Sequence, residues 1–464
     1  MKSVDIIGFL GIYLCKRAPL NVIMELVKTI DITRKGAEMI ISENREKVKR
    51  KALSLVNKGG RGLSKPEKKF VLEMMMGMVL TGSCNLTEIA RSLKESVSVK
   101  DTLKRLGRMC SKEHILDIAN KISLQEARSR INSKTILALD SGDIVHQYGR
   151  KFENIGRVHD GSSNEIRQGY WLNQVTGHNP LSNETFPVLL DMYSVKEPGF
   201  KSSNVESISL VEKVRAVKGN EGLWVMDRGY DRGEIFGYFL KNNLDFIVRM
   251  KINRDLILKS RPHNISKIAG GINRRINFSS NSRFGSKKVS FKVDGIRYPV
   301  TLICFKDKRN REPIIWLVNG WIKSTKELKR RIRGYFKRWS IEESYRFEKQ
   351  GFGIEKATVR RYSKIRNLVG ISVLSWLLLV KIQEVPRLKE VVLKKARMEK
   401  HKRKHRPKFI YYRLLKGVRK LFEGAKELFR YRTHRKTMNQ IRRGMNLKQS
   451  LFPDFQWKMS GMEF

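Results

Sequence analysis

Cysteine is scarce in this chain: four residues, Cys15, Cys84, Cys110 and Cys304, scattered with no Cys-x-x-Cys pair. Such spacing offers neither a zinc cluster nor a disulfide framework, and it suits a reducing cytoplasm. Acidic residues are also in short supply, 45 Asp and Glu against 96 Lys and Arg, which leaves a formal charge of +51. No fold needs that excess, because like charges spread over a compact chain repel one another. A polyanionic partner is the simplest compensation, and phosphate neutralisation with counterion release is its usual form. The plain alternative is a merely soluble basic protein. Long apolar runs are missing as well. Ile6–Leu14 follows Asp5 and lacks a small-residue cleavage site, so a core helix is expected there rather than a signal peptide. Leu368–Val380 is very apolar but shorter than the ~20 residues a membrane span needs, and is expected as a buried helix. No membrane role and no internal repeat are expected.

At ~150 residues per domain, the 464 residues suggest about three domains. Residues 1–125 read as helical, with apolar positions at helical spacing in Val22–Ile30 and Phe70–Leu80. Within them, 85–109 predicts two short helices. Ile89, Ala90 and Leu93 point inward from the first, and Leu103 and Leu106 from the second. A turn near Ser96–Ser98 separates them, and the second helix carries Lys100, Lys104, Arg105 and Arg108. That layout suits a DNA-binding helix-turn-helix, although any small helical hairpin could give it.

From Lys134 the pattern changes to short apolar runs alternating with helices, an α/β arrangement over 134–250. Strands are expected at Thr135–Leu139, Gly169–Thr176, Pro187–Tyr193, Leu223–Met226 and Phe246–Met250. Helices are expected at Ser207–Val217 and Glu234–Lys241. Residues 251–320 predict a β-rich insertion, with strands at Val289–Val293, Tyr298–Phe305 and Ile314–Val318. Residues 321–385 return to helix, starting with one long helix from about Ser324 to Lys349 opened by a Ser324/Glu327 capping box. Residues 386–464 are a basic C-terminal region, HKRKHRPK at 401–408 being its densest part, suited to DNA contact or dimerisation.

Two of the expected strands end on an aspartate followed two positions later by glycine: TILAL runs into Asp140 and Gly142, LWVM into Asp227 and Gly229. The carboxyl ends of strands in an open α/β sheet are where sites form. Either aspartate alone would more often be a turn residue; the shared context singles out the pair. On the long helix, Tyr335, Arg338, Glu342 and Lys349 fall on one narrow stripe, with Glu343 about 100° round from it. The stripe is too polar for a core seam, and its plain alternative is a solvated face with an incidental ion pair.

Tyr-x2-Arg-x3-Glu-x6-Lys is the signature of a large group of bacterial insertion-sequence transposases, the insertion-sequence-four family, and this chain resembles it at 335–349. LALDSGDI at 137–144, VHDGSSNEIRQGYWL at 158–172 and WVMDRGYDRGEIF at 224–236 are similar to that family too, so the resemblance covers about Lys134 to Val380. It implies a ribonuclease H-like catalytic core, interrupted by the β-rich insertion and flanked by the helical N-terminal domain and the basic helical C-terminal region. Asp140, Asp227 and Glu342 would then hold two Mg²⁺ or Mn²⁺ ions, with Tyr335, Arg338 and Lys349 on phosphates near the cut. Arg228 and Asp160, inside family-like segments, are further candidates for phosphate contact and for support of the carboxylates. Asp143, His159 and Asp191 are weaker ones, Asp143 and Asp191 being as readily ordinary turn residues. Trp316 and Trp321 could stack on an extruded base, though burial in the core is the commoner fate of tryptophan.

The implied activity is cut-and-paste DNA transposition by a cytoplasmic, nucleoid-associated enzyme. Its partners would be double-stranded DNA, as terminal repeats and target, and a second copy of the chain on paired ends. The alternatives are a ribonuclease H-like nuclease without strand transfer, a catalytically inactive DNA-binding descendant, and a nucleic-acid packaging protein that would leave the three carboxylates unexplained.

Overall fold

The computed structural model describes residues 20–423, apart from 147, 148, 150, 162, 311 and 397–408, together with 425; side chains are described from residue 38. The expected helix at Ile6–Leu14 and the basic run 401–408 lie outside the described residues. Among the described residues five helices precede the first strand: α1 (Leu20–Gly59), α2 (Lys65–Thr81), α3 (Leu86–Leu93), α4 (Val99–Met109) and α5 (Ile115–Arg128). A reciprocal capping box between Ser64 and Glu67 opens α2, and Gly82 closes it at φ 69°. The two-helix reading of 85–109 is met by α3 and α4, with Ile89, Ala90, Leu93 and Leu106 buried.

One mixed sheet of twelve strands runs through the rest, in the order β2-β3-β1-β5-β6-β12-β11-β10-β7-β8, with β4 on β3 and β9 on β10. Its first part comprises β1 (Ile136–Val145), β2 (Gly156–Asp160), β3 (Glu165–Asn179), β4 (Glu184–Tyr193), β5 (Leu223–Met226) and β6 (Phe246–Arg249). β1 is antiparallel to β3 and parallel to β5, and β5 is parallel to β6. Helices α6 (Ser203–Lys218) and α7 (Gly233–Lys241) make the crossovers into β5 and β6. The β-rich stretch holds β7 (Asp255–Leu258), β8 (Arg261–Asn264), the short helix α8 (Ile265–Gly270), β9 (Ile276–Ser279), β10 (Ser282–Val293), β11 (Ile296–Asp307) and β12 (Ile314–Asn319). It does not fold as a separate sheet: β12 pairs with β6, so the ladder continues from one part into the other.

Five helices and one 3₁₀ turn complete the described chain: α9 (Thr325–Phe336), α10 (Trp339–Gly351), the 3₁₀ turn at Ile354–Lys356, α11 (Tyr362–Gln383), α12 (Pro386–Lys395) and α13 (Ile410–Phe422). α9 lies over β5 and β6, α10 over β1 and β3, and α11 over β4 and the N-terminal helices. α11 extends beyond the apolar run read from sequence and is long and apolar enough to cross a membrane. However, 89% of its apolar window is buried inside the protein, as befits a core helix that is hydrophobic all round.

Three expectations are corrected. The single helix over 324–349 is two, because backbone bonds at 337–341 switch to the i→i+3 type and tighten the chain there. The Ser324/Glu327 capping box is only half made: Ser324 accepts from the Glu327 amide, while the Glu327 carboxylate turns to Arg330 and Arg331. Asp140 does not end its strand, since β1 continues to Val145 by pairing with β3 after its pairing with β5 has stopped.

Candidate active site

The parallel ladder between β1 and β5 closes at Ala138 opposite Val225. Asp140 and Asp227 each stand two residues beyond that last pair, so the two aspartates sit level on neighbouring strands at the edge where the parallel pairing opens. Asp227 begins a 3₁₀ turn (Arg228–Tyr230), its carboxylate accepting from the Gly229 amide. The Ser141 amide donates to the Asp140 carboxylate (2.9 Å) and the Tyr345 hydroxyl to the Asp140 carbonyl (2.7 Å). Across the strands, the Ser141 hydroxyl meets Asn173 at 2.7 Å and the buried Tyr230 hydroxyl at 3.0 Å, tying β1, β3 and the turn after β5 together.

The break between α9 and α10 brings the third carboxylate in. Arg338, at the break, donates through Nη1 to Asp140 (3.1 Å) and through Nη2 to Glu342 (2.6 Å). Its guanidinium lies 5.9 Å from the centre of the Tyr335 ring, and Tyr335 in turn packs on Trp316 with centroids 5.0 Å apart. Burial, then the nearby Asp227 carboxylate, push the Asp140 carboxyl up to about 7, while Arg338 and the Ser141 amide pull it down. Burial opposes the Arg338 charge, but Asp140, Tyr335 and Glu342 outweigh it and hold the guanidinium protonated. The pocket is thus short of positive charge, and Arg338 supplies part of it. Among the described residues no three of Asp, Glu, His or Cys stand close enough together to hold an ion; the Arg338 fork fills the room between Asp140 and Glu342.

The remaining candidates divide. Arg228, exposed beside Asp227, forms no ion pair among the described residues. Lys349 is drawn away to Asp143 (2.7 Å) and Glu355 (3.0 Å), where it fastens α10 and the following turn to β1. Asp160 is buried at the end of β2 with Ser163 and Arg167 as partners. Asp143 and Asp191 are strand residues in ion pairs rather than turn residues, Asp191 meeting Arg366 at 3.2 Å and Lys213 at 3.4 Å. Glu343 is buried and pairs with Arg346. Trp316 cannot stack on a base: it is fully buried under Tyr335 and Phe336. Trp321 is exposed, its indole N–H donating to the Val289 carbonyl at 2.9 Å. The exposed aromatics nearest the break are Phe336 and Trp339, which flank Lys337 and Arg338 and carry no signal in the sequence that marks them out. Tyr345 escapes a reading of the sequence too, although its place three residues after Glu342 puts it on the same side of the helix.

Residues 203–378, over a third of the chain, match the family model described as a transposase DDE domain. The matched stretch includes Asp227 and Glu342 and begins after Asp140. No curated protein matches the chain. Among solved structures, a piggyBac transposase in a synaptic complex with hairpin DNA is similar with a TM-score of 0.43 and 13% identity, over 86% of this chain and 78% of that one. Endonuclease V of Bacillus subtilis is similar with a TM-score of 0.24 and 11% identity, over 50% of this chain and 93% of that one. Neither superposition is close enough to bear on the chemistry.

Proposed function

We propose that this chain is a DNA transposase of the insertion-sequence-four type, cutting and joining DNA strands at Asp140, Asp227 and Glu342 on a ribonuclease H-like core. The observation that carries the reading is the level placement of Asp140 and Asp227 past the β1–β5 ladder, with Arg338 tying Glu342 to the same point. The match of 203–378 to a transposase DDE domain supports it. So does the strand order β4-β3-β1-β5-β6, in which one aspartate lies in the first and the other directly follows the fourth of five core strands, and the late helix α10 brings the glutamate. β2 and the strands beyond β6 are then additions to that core. The surplus of 51 positive charges suits a DNA partner.

The donor set at the site is made of carboxylate oxygens, which hard divalent cations such as Mg²⁺ or Mn²⁺ take, and the raised Asp140 carboxyl marks a place where cationic charge is wanted. Asp140, Asp227 and Glu342 would hold two such ions, which when bound supply Lewis acidity at the attacking and leaving oxygens. The chain's own groups position the strand. The Arg338 fork suits a non-bridging phosphate pair, the Tyr335 hydroxyl can donate beside it, and Arg228, exposed next to Asp227, is a further cation for the strand. Lys349 joins them only by leaving Asp143 and Glu355; where it stands, it holds α10, and with it Glu342, against β1. In this reading residues 1–125 contact DNA, residues 386–464 contact DNA or a second copy of the chain, and two copies pair two element ends in the cytoplasm.

The test is divalent-metal-dependent cleavage of plasmid DNA carrying the segments that flank the chain's own gene. Wild type is compared with Glu342→Gln, and binding is followed in parallel by gel shift. The expected result is cutting at the element ends by wild type, with binding retained and cutting lost, by roughly a hundredfold or more, in the variant. Equal cutting by both proteins would remove Glu342 from the site. Wild-type binding without cutting in either Mg²⁺ or Mn²⁺ would leave a DNA-binding descendant instead.

A further inference from the structure

The second helix of the N-terminal hairpin, α4, meets the amino end of the core helix α11 around an open cleft of about 580 Å³. Its lining is Lys104, Gly107, Arg108 and Ser111 from α4 and the turn after it, with Arg361 just before α11 and Lys364 in its first turn. Four of these six residues are cations and none is an acid. Lys104, Arg108 and Arg361 are at least partly open to solvent and Lys364 is half-buried, and none of the four forms an ion pair among the described residues. The chain does supply acids where this region needs them. Arg105, between two of the cleft cations, is neutralised by Glu73 and Glu95, both at 2.7 Å. Glu153, close in space to this end of α11, is spent on the Tyr362 amide at 2.7 Å.

Gly107 points to what the cleft is for. A glycine inside a helix weakens it, and the usual reason for accepting one is close packing. Here a side chain on Gly107 would meet only the Lys364 amine, at 3.9 Å, an ordinary contact. None of the described residues requires the space, which leaves room for a partner to approach the helix backbone. Lys100, Lys104 and Arg108 follow one another at four-residue steps, so the cations continue as a stripe along α4 beyond the cleft. The cleft is also held firmly. The fully buried Asn367 of α11 donates to the carbonyls of Cys110 (2.8 Å) and Lys112 (2.6 Å) and accepts from the Leu116 amide (3.0 Å).

We infer that this cleft binds the phosphodiester backbone of duplex DNA outside the active site, with Lys104, Arg108, Arg361 and Lys364 on consecutive phosphates and Gly107 at the floor. The inference rests on the reading of the chain as a DNA-processing enzyme and adds a place where DNA is held without regard to sequence. Because Asn367 locks α4 onto α11, DNA seated there is fixed relative to the α10–α11 segment that carries Glu342.

The experiment measures affinity of the full chain for a random-sequence 30-base-pair duplex by fluorescence anisotropy, over a range of salt concentrations and without divalent metal. The Lys104→Gln/Arg108→Gln/Lys364→Gln variant is expected to lower the slope of log K against log salt by about 2–3, because each phosphate that a cation no longer neutralises takes away ~0.9. Gly107→Glu, which places a carboxylate on the cleft floor and favours the helix, is expected to weaken binding at least tenfold while the circular dichroism stays unchanged. A charge-matched control at the far edge of the sheet, Lys259→Gln/Arg261→Gln/Lys267→Gln, is expected to change the slope by less than one. An equal loss in the control, or an unchanged slope in the cleft triple variant while wild type binds, would overturn the cleft and leave the catalytic reading standing. Failure of the wild type to bind duplex DNA would overturn both.

Discussion

The two glycines that follow the aspartates differ in what they make possible. A side chain at Gly142 would stand 3.0 Å from the ring of Tyr345, so the glycine lets that ring lie on β1 and lets its hydroxyl reach the Asp140 carbonyl. One at Gly229 would stand 2.9 Å from the Asp227 carboxylate itself, which needs the room to accept from the Gly229 amide. The Asp-x-Gly repetition is visible in the sequence, but the reason for it is spatial. Glu348, one turn beyond Tyr345, is fully buried with Gln174 as its partner at 3.4 Å and one carboxyl oxygen unpartnered. Burial pushes its carboxyl from 4.5 up to about 8. The folded state therefore holds a proton that the unfolded chain releases near 4.5, and stability falls as pH rises from there through 8. Glu348→Gln removes that dependence. It is expected to melt like wild type at pH 4 to 5 and to be more stable by on the order of a few kcal/mol at pH 8. Melting curves across that range check it, and a difference that does not grow with pH would show that Glu348 is not the buried acid described.

At the scale of elements, the sequence announces most of the strands and helices but not the features that bring the site together. Apolar runs announce β1 and β3 to β6, which are buried along much of their length, and helical spacing announces α6 and α7 between β4, β5 and β6. That β1 continues past Asp140 depends on its partner changing from β5 to β3, which no local pattern records. The break at 337–338 is equally silent, having neither proline nor glycine at the bend. Yet the break is what turns Arg338 to Asp140 while Glu342, one turn on, stays within reach of the same guanidinium. Tyr335, Arg338 and Glu342 stay together across it, whereas Lys349, a further two turns along, is carried to Asp143. The guanidinium then competes with any cation for the oxygens of Asp140 and Glu342. Arg338→Gln is expected to bind Mn²⁺ about tenfold more tightly, equivalent to ~1.4 kcal/mol, as read by calorimetry or by the loss of free-ion electron paramagnetic resonance signal. It is expected to cut DNA more slowly, by roughly a hundredfold, for want of a phosphate donor. Unchanged or weaker Mn²⁺ binding would mean that the arginine does not stand in for positive charge at these carboxylates.

For the molecule as a whole, the question is how the helices α1 to α5 come to be fixed to the sheet that follows them. Their apolar spacing says only that they are helical and pack somewhere; the bonds that orient them come from residues far along the chain. α11 is central to this, packed on β4 on one side and on α2 and α5 on another. Ser375 reaches the Met75 carbonyl (3.3 Å) and Asn120 of α5 bonds both the amide and the carbonyl of Leu190 in β4. Asn367 is the polar member of this packing with most at stake, since its side chain serves two carbonyls and one amide in a buried turn. Buried polar groups left without partners cost about 1–3 kcal/mol each. Asn367→Ala is therefore expected to destabilise the protein by several kcal/mol, and the effect should be uneven. Hydrogen exchange is expected to speed up in α4 and in the turn to α5, where the freed carbonyls and the Leu116 amide lie, while β1, β5 and β6 keep their protection because their ladder is untouched. Exchange that rises uniformly over the chain would mean that the N-terminal helices and the sheet unfold only together. The same measurement with duplex DNA bound should restore protection to α4, since a ligand held across α4 and α11 takes over part of what Asn367 does.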